Sequence, residues 1–204
     1  MITLSNVYLG PIIHYAFIAQ NDEYQIDIAE NFNKQTYRNR CEIYGANGKL
    51  KLIIPLEKRT QRTPMRDIKI DYDEDWRRIH WKSLETAYRK SPFFEYYEDD
   101  FLPFYRKKHS YLIDLNYELE EMIKSLLGIT SKTIKCNKYE ENEPDYRQLI
   151  SPKNKTFIKG VKFEKYLQVF NDRHGFIENL SIVDLLFNLG PAATAYLVQT
   201  EINS

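Results

Sequence analysis

Residues 2–28 decide the fold of this chain, and they read ITLSNVYLGPIIHYAFIAQNDEYQIDI. The apolar start of this stretch predicts a short strand, and Gly10-Pro11 follows it, with proline favoured in the first turn of a helix. Residues 11–20 are apolar around most of the helical circumference, so this helix is expected to be buried. Strict alternation at 24–28 predicts a second strand. A strand, a buried helix and a strand at this spacing predict parallel pairing and an α/β fold with a Rossmann-like start.

The rest of the chain predicts a β-hairpin and a helical second half. Asn47-Gly48 separates two stretches rich in β-forming residues, 41–44 and 50–54, and this turn sequence strongly indicates a hairpin. A further short strand is expected at 68–70. Apolar periodicity predicts the helices, which run over about 75–90, 110–127, 182–189 and 192–199.

Composition restricts the class of protein. The 204 residues fit a single domain spanning 1–204, and 29 basic residues balance 29 acidic ones. This balance gives no overall field toward nucleic acid or an anionic membrane, so neither specific nucleic-acid binding nor membrane insertion is expected. No apolar run approaches the ~20 residues that span a bilayer, and the first residues lack the pattern of a signal peptide. Cys41 and Cys136 stand alone in the sequence, which favours a reducing, cytoplasmic location.

Several motifs that identify enzymes are absent from the sequence. The chain has no P-loop, no dinucleotide-binding fingerprint, no HExxH and no GxSxG. The acidic run Glu98-Asp99-Asp100 comes nearest to a metal site, but no histidine accompanies it, and a solvated helix start explains it better. The cofactor therefore stays unknown, no metal site is predicted, and the expected partner is a small-molecule substrate.

The junction between the first strand and the first helix is one candidate site. Tyr8 and His14 flank Gly10-Pro11, at the position where α/β proteins bind anions with free helix amides. The alternative is a buried helix in which His14 bonds a backbone carbonyl. Because only one histidine is present, the buried helix is the favoured interpretation.

The segment Arg38-Asn39-Arg40, directly before the hairpin, is a second candidate. Arginine side chains hold phosphate or carboxylate groups with two parallel hydrogen bonds. On an extended chain Arg38 and Arg40 would share one side while Asn39 faces away, so both arginines could clamp a single diphosphate. The alternative is a solvated turn whose arginines pair with nearby acidic residues, and charge alone favours that alternative.

His80 is a third candidate, because it lies within the apolar arc of the helix at 75–90, near Trp76 and Leu84. A polar ring on that face needs a partner, so His80 is expected to be mostly buried and hydrogen-bonded. Such a histidine is usually structural, and it becomes a catalytic candidate only if its face borders a cleft. Lys82 projects from the polar face of the same helix.

Five segments of the chain, taken in order, carry a resemblance to a known family. They are YLGP (8–11), YRNRCEI (37–43), IIPL (53–56), WRRIHWKSLETAYRKSPF (76–93) and NLSIVDLLF (179–187). Together they resemble the WbqC-like family over residues 4–127 and 162–190. Members of this family usually carry Gln-Pro where this chain has Asn6-Val7, and they have a longer central segment than residues 130–160 provide.

The resemblance implies a role in O-antigen or other surface-polysaccharide biosynthesis, as a transferase-type enzyme acting on a nucleotide-linked sugar or related precursor. In this hypothesis the two arginines hold phosphate, and a histidine moves a proton. The rival hypothesis is a non-catalytic binding or scaffold protein. Convergence of Arg38, Arg40 and His80 on one cleft would favour the enzyme. Their dispersal over the surface would favour the scaffold protein. The predicted substrate-binding residues are Tyr8, Arg38, Asn39, Arg40 and Lys82, and the predicted catalytic residues are His80 and His14.

Overall fold

A three-stranded parallel sheet begins the fold in the computed structural model, which describes residues 1–60, 62–137, 144–154, 156 and 159–202. Strands β1 (Ile2–Leu4) and β2 (Glu23–Asp27) pair in parallel, and helix α1 (Ile12–Ala19) connects them. A third parallel strand, β5 (Lys132–Cys136), pairs with the other side of β2. The predicted parallel pairing and the α/β fold are confirmed.

The sequence did not predict β5. Its residues, KTIKC, contain Ile134 as the single aliphatic residue between two lysines, so no apolar run marks a strand. Pairing with β2 forms this strand, with Lys132 opposite Glu23 and Cys136 opposite Asp27. Backbone hydrogen bonding to a neighbour therefore outweighs the weak intrinsic preference of the segment.

The sheet has one apolar face. Ile2 and Leu4 lie opposite Tyr24 and Ile26, so side chains of both strands point to the same side, and all four are buried. They belong to a hydrophobic cluster that extends from the first strand to the last helix and includes nearly all of α1. Burying each large apolar side chain contributes about 1.5–3 kcal/mol, which is why the apolar helix lies inside.

The predicted hairpin is present, and three helices follow it. Ala46-Asn47 forms the turn, after which Gly48 adopts a φ of 94° that glycine accommodates without steric cost. The first of the three helices begins where the Asp75 side chain accepts a hydrogen bond from the backbone N–H of Arg78. These elements are β3 (Arg40–Gly45), β4 (Gly48–Ile53), α2 (Trp76–Tyr88), α3 (Phe94–Arg106) and α4 (Leu112–Leu127).

Two predictions in this half need correction. The acidic run 98–100 lies inside α3 and not at its start, because an aromatic stripe that includes Phe94, Phe101 and Tyr105 buries one face of the whole helix. Residues 68–70 form isolated bridges beside a 3₁₀ turn at Met65–Asp67, and no continuous strand.

The last part of the chain closes against the first helix. Gly190-Pro191 interrupts the helices as predicted, with a 3₁₀ turn at Gly190–Ala192. Gly190 has a φ of 54°, and a Cβ there would lie 2.5 Å from the Phe93 ring, so only glycine fits. The elements are β6 (Val161–Lys162), α5 (Asn171–His174), α6 (Ile182–Leu189), α7 (Ala193–Gln199) and β7 (Glu201–Ile202), with β6 and β7 antiparallel.

One helical stretch among the described residues, Ile182–Gln199, is long and apolar enough by length and composition to cross a membrane. It consists of α6, the 3₁₀ turn and α7, and half of it is buried within the protein. All of α6 except Leu189 is buried, and both helices pack on α1. Its apolar character is therefore accounted for by core packing.

A fourth segment runs alongside β1 and extends the parallel edge. Thr3 forms a parallel bridge with Asp145, donating its N–H to the Pro144 carbonyl and accepting from the N–H of Tyr146 at 2.9 Å. The residues that follow this bridge lie at the same edge as the carboxyl ends of β1 and β2. In the short central segment 130–160, residues 138–143, 155, 157 and 158 lie outside the described residues.

Candidate functional site

A cleft of about 490 Å³ opens at the carboxyl edge of the parallel sheet. One wall follows β2, a second follows the Thr3–Asp145 bridge, and Thr60 comes from a loop held to the first wall by backbone hydrogen bonds. We call it the carboxyl-edge cleft. It is lined by Glu30, Asn31, Phe32, Asn33, Lys34, Thr60, Asp145, Arg147 and Gln148.

Asp27 and Arg147 form the deepest ion pair at this cleft. Asp27 ends β2, and one of its carboxylate oxygens accepts the backbone N–H groups of Ala29 and Glu30, which fixes the turn. The other oxygen lies 2.5 Å from Nη1 of Arg147, whose side chain is 3% exposed. The remaining guanidinium nitrogens of Arg147 bond Asp145, with Nη2 at 2.6 Å. The arginine is thus held between two carboxylates.

Arg38 and Glu30 form a second buried ion pair. Nε and Nη2 of Arg38 donate to the two Glu30 oxygens at 2.9 and 2.6 Å, and Nη1 donates to Thr36. Both side chains are at most 5% exposed. Such a pair rarely stabilises a fold more than apolar residues would, so its position at a ligand-binding edge suggests a functional site. We call Asp27, Glu30, Arg38, Asp145 and Arg147 the charged cluster.

The charged cluster keeps a carboxylate facing the cleft. Partial burial alone would raise the pKa of Asp145, but hydrogen bonds from the side chain and backbone of Arg147 lower it below its ordinary value. The same bonds raise the pKa of Arg147 further above neutrality. Asp145 is therefore an acceptor of hydrogen bonds at neutral pH and not a donor.

Tyr8, His80 and Tyr105 form a different buried cluster, which we call the neutral cluster. The Tyr8 hydroxyl lies 3.0 Å from Nδ1 of His80 and 2.9 Å from the Tyr105 hydroxyl. Burial lowers the pKa of His80 to about 4, although a hydrogen bond to the backbone of Ile53 acts in the opposite direction. Burial also raises the pKa of Tyr8 well above its ordinary value. The prediction that His80 is buried and hydrogen-bonded is confirmed, but His80 does not line the carboxyl-edge cleft.

The first two amides of α1 are already paired and are not available to an anion. The N–H of Ile12 donates to the Leu180 carbonyl and that of Ile13 to Oδ1 of Asn179, at 2.9 and 3.0 Å. His14 is buried, and its Nε2 lies 3.2 Å from the carboxylate of Glu120. The buried-helix interpretation was the better one, with a carboxylate in place of the expected backbone carbonyl.

The structure does not place Arg38 and Arg40 side by side as expected. Residues 37–39 form a turn and not an extended strand, so alternation does not apply and the two arginines diverge. Arg38 turns inward to Glu30, whereas the Asn39 amide donates to the Ile54 carbonyl at 2.9 Å. Arg40 faces a second cleft of about 490 Å³, which we call the basic cleft. It is lined by Gln35, Arg40, Glu42, Lys49, Lys51, Pro152 and Lys153.

Lys82 lies apart from both clefts. It is exposed, pairs with Glu85 at 3.1 Å, and borders a shallow apolar groove between α2 and the hairpin turn. Arg38, Arg40 and His80 therefore do not converge on one cleft, nor are they dispersed over the surface, since Arg38 and His80 are buried.

Sequence reasoning missed four residues of the charged cluster. A signal existed for Asp27 and Glu30, because they follow a predicted parallel strand at the edge where α/β sheets bind ligands. No local signal marks Asp145 or Arg147, which reach the edge only through the bridge to Thr3. Within the described ranges, no group of three or more His, Cys, Asp or Glu side chains could hold a metal ion.

The fold and the carboxyl-edge cleft define an α/β protein with a polar, charged cleft at the ligand-binding edge of its sheet. Comparison of sequences shows that the chain belongs to the WbqC-like protein family, which matches it over residues 7–159. The resemblance is thereby confirmed, although the match ends before the segment at 179–187. The chain is also similar to the uncharacterized protein Rv1507c of Mycobacterium tuberculosis, with 26% identity over 211 residues, 90% of this chain and 91% of that protein. No solved structure matches the chain.

Proposed function

We propose that this protein is a transferase-type enzyme that acts on a nucleotide-linked sugar or a related surface-polysaccharide (O-antigen) precursor, with the sugar in the carboxyl-edge cleft. The observation that carries the proposal is the charged cluster buried beneath that cleft. Removing two arginines and the carboxylates of Asp27 and Glu30 from water costs free energy that apolar residues would not cost. A ligand-binding role accounts for their presence at this edge of the sheet.

The lining of the cleft has the chemistry that a sugar needs. Asn31, Asn33 and Gln148 offer amides, and Asp145 offers a carboxylate. Each of these planar groups carries two neighbouring polar atoms, so it can bond two adjacent hydroxyls of a sugar ring at once. The cleft volume also falls within the ~300–1,000 Å³ that is usual for small-molecule sites.

Proton transfer in the proposed reaction has no obvious agent in this geometry. A general base works best when its pKa lies near the working pH, and the pKa of Asp145 is lowered. Asp145 therefore suits binding of hydroxyl groups better than removal of a proton. Rate enhancement would come mainly from holding the donor and the acceptor of the transferred group close together.

A non-catalytic binding protein is the second candidate. It is favoured by the burial of His80 and His14 away from the cleft, since these were the proposed catalytic residues. Binding of the same precursor without turnover would distinguish this role from the enzyme. Either role fits a cytoplasmic protein, because Cys41 and Cys136 do not form a disulfide with each other.

The proposal is tested by a thermal-shift screen against nucleotides and nucleotide sugars. A ligand at 100 times its Kd stabilises the fold by about 2.7 kcal/mol. Asn31→Ala and Gln148→Ala should each weaken binding of the best ligand by about tenfold, the value of one hydrogen bond. Gln199→Ala, an exposed amide on α7, is the matched control and should bind like the wild type. Absence of binding by the wild-type protein would overturn the proposal.

A further inference from the structure

The basic cleft lies next to the carboxyl-edge cleft, and one short segment separates them. Asn33 and Lys34 line the carboxyl-edge cleft, and the next residue, Gln35, lines the basic cleft. Nζ of Lys153 donates to the Lys34 carbonyl at 3.2 Å, which fastens the far wall of the basic cleft to this segment. A ligand with two linked groups can therefore place one group in the carboxyl-edge cleft and the other in the basic cleft.

The register of the hairpin builds the basic cleft. Glu42 lies opposite Lys51, Arg40 opposite Ile53, and Lys49 opposite Tyr44, so these side chains share one face of the two strands. The other face carries Cys41 and Leu52, which are buried. Alternation along β3 and β4 thus places three cationic side chains around a single carboxylate.

The positive charges of the basic cleft are not balanced within it. Four cationic side chains line it, against one carboxylate, and Glu42 is engaged by Lys49 at 3.0 Å. Arg40, Lys51 and Lys153 form no ion pair with any described residue. Like charges held close together repel one another, and a bound anion would remove that repulsion.

Arg40 is the best-positioned ligand group in this cleft. Its Nη2 donates to the Gln35 carbonyl, which orients the guanidinium, whereas its buried Nε has no hydrogen-bond partner in the described part of the chain. Gln35 holds this carbonyl in place with a φ of 61°, which is unusual for a residue other than glycine and is typical of functional sites. An oriented arginine with free donors matches the oxygens of a phosphate group.

We infer that the basic cleft binds the diphosphate group of the precursor whose sugar occupies the carboxyl-edge cleft, through Arg40, Lys51 and Lys153. The inference rests on the proposed function for the identity of the whole ligand. Both nucleotide sugars and lipid-linked sugars carry a diphosphate next to the sugar, and this group is the chemistry that the cleft recognises. The sequence predicted a diphosphate clamp formed by Arg38 and Arg40. In the inferred site Arg40 contacts the diphosphate and Arg38 does not.

The test is calorimetric titration of pyrophosphate into the full chain at low ionic strength. Lys51→Glu and Lys153→Glu should each weaken pyrophosphate binding at least tenfold, and Arg40→Lys should weaken it through loss of the planar fork. Lys90→Glu makes the same charge reversal at an exposed lysine outside both clefts and should leave the affinity unchanged. Equal weakening by Lys90→Glu, or no weakening by the cleft variants, would overturn the inference.

Competition identifies the source of the diphosphate. UDP-glucose and a short-chain isoprenyl diphosphate are each titrated against bound pyrophosphate, and displacement by at least one of them supports the site. Displacement by neither overturns it. If pyrophosphate binding responds to the cleft variants and the isoprenyl diphosphate displaces it but no sugar nucleotide does, the inference stands and the nucleotide-sugar part of the proposed function fails. If a sugar nucleotide binds and responds only to Asn31→Ala and Gln148→Ala, the proposed function stands and the inference fails.

Discussion

The charged cluster and the neutral cluster are both buried, but the free-energy cost of removing their polar groups from water is offset differently in the two. In the charged cluster, carboxylates and guanidinium groups stay paired, with Asp27 and Asp145 on either side of Arg147. In the neutral cluster, burial lowers the pKa of His80 and raises that of Tyr8, so both groups keep their uncharged forms. Three residues of the charged cluster, Glu30, Asp145 and Arg147, line an open cleft. His80 instead faces Tyr8, Trp76 and the interior.

This difference separates groups that can act on a ligand from groups that hold the fold together. A buried polar side chain becomes available to a ligand only where the interior opens, and the carboxyl edge of the sheet is such a place. The neutral cluster instead joins the loop after β1 to α2 and α3 through two hydrogen bonds. In this geometry His80 joins α2 to the loop after β1, as its position on a packed helix face favours.

Arg38→Met should have the largest effect, because it leaves Glu30 charged and buried without a partner. Loss of one member of a buried ion pair costs about 3–5 kcal/mol, measured as the free energy of unfolding in urea. Arg40→Met is the matched control, and it should lose only a small fraction of that amount. The double variant Glu30→Leu/Arg38→Met should recover most of the loss, since an apolar pair replaces the ion pair. Wild-type stability for Arg38→Met would contradict the structural role of this pair.

His80 should make stability depend on pH between 6.5 and 4. Its pKa falls from 6.5 in the unfolded chain to about 4 in the folded protein, so the unfolded chain takes up the proton first. The stability is unaffected above pH 6.5 and falls as the pH is lowered toward 4, where the loss reaches about 3 kcal/mol. His80→Asn cannot take up this proton, so its unfolding free energy should fall less over the same range. Parallel pH profiles for both proteins would rule out a neutral, buried His80.

Tyr8→Phe should have a smaller effect on the neutral cluster. It removes the hydroxyl that bridges His80 and Tyr105 and leaves both partners buried, at a cost of about 1–3 kcal/mol in unfolding free energy. Tyr96→Phe is the control, because Tyr96 is 75% exposed, and it should be close to neutral. Equal stability of the two variants would show that the bridge is not formed.

Lys82→Ala should have the smallest effect and defines the baseline for both clusters. Its ion pair with Glu85 is exposed to solvent, and such pairs contribute little, so unfolding free energy should change by no more than about 0.5 kcal/mol. Sugar-nucleotide affinity should also be unchanged, because Lys82 lines neither cleft. A clear loss of affinity in Lys82→Ala would move the binding site toward α2.

The sequence by itself determined the local elements that have strong short-range signals. The βαβ start, the hairpin at Asn47-Gly48 and the break at Gly190-Pro191 follow from periodicity and from turn chemistry, which act over a few neighbouring residues. The family could also be recognised from sequence. The burial of His80 was predictable for the same reason, since its position on an amphipathic helix is a local property.

The tertiary structure alone decided which polar residues meet. β5 exists because β2 offers it a partner, and Arg147 reaches Asp27 across 120 residues of chain through the bridge between Asp145 and Thr3. One turn at 37–39 sends Arg38 inward and Arg40 to the basic cleft, although the residues are two positions apart. Sequence spacing does not predict these two directions, because the direction of a side chain in a turn depends on the ion pairs and carbonyls that surround it.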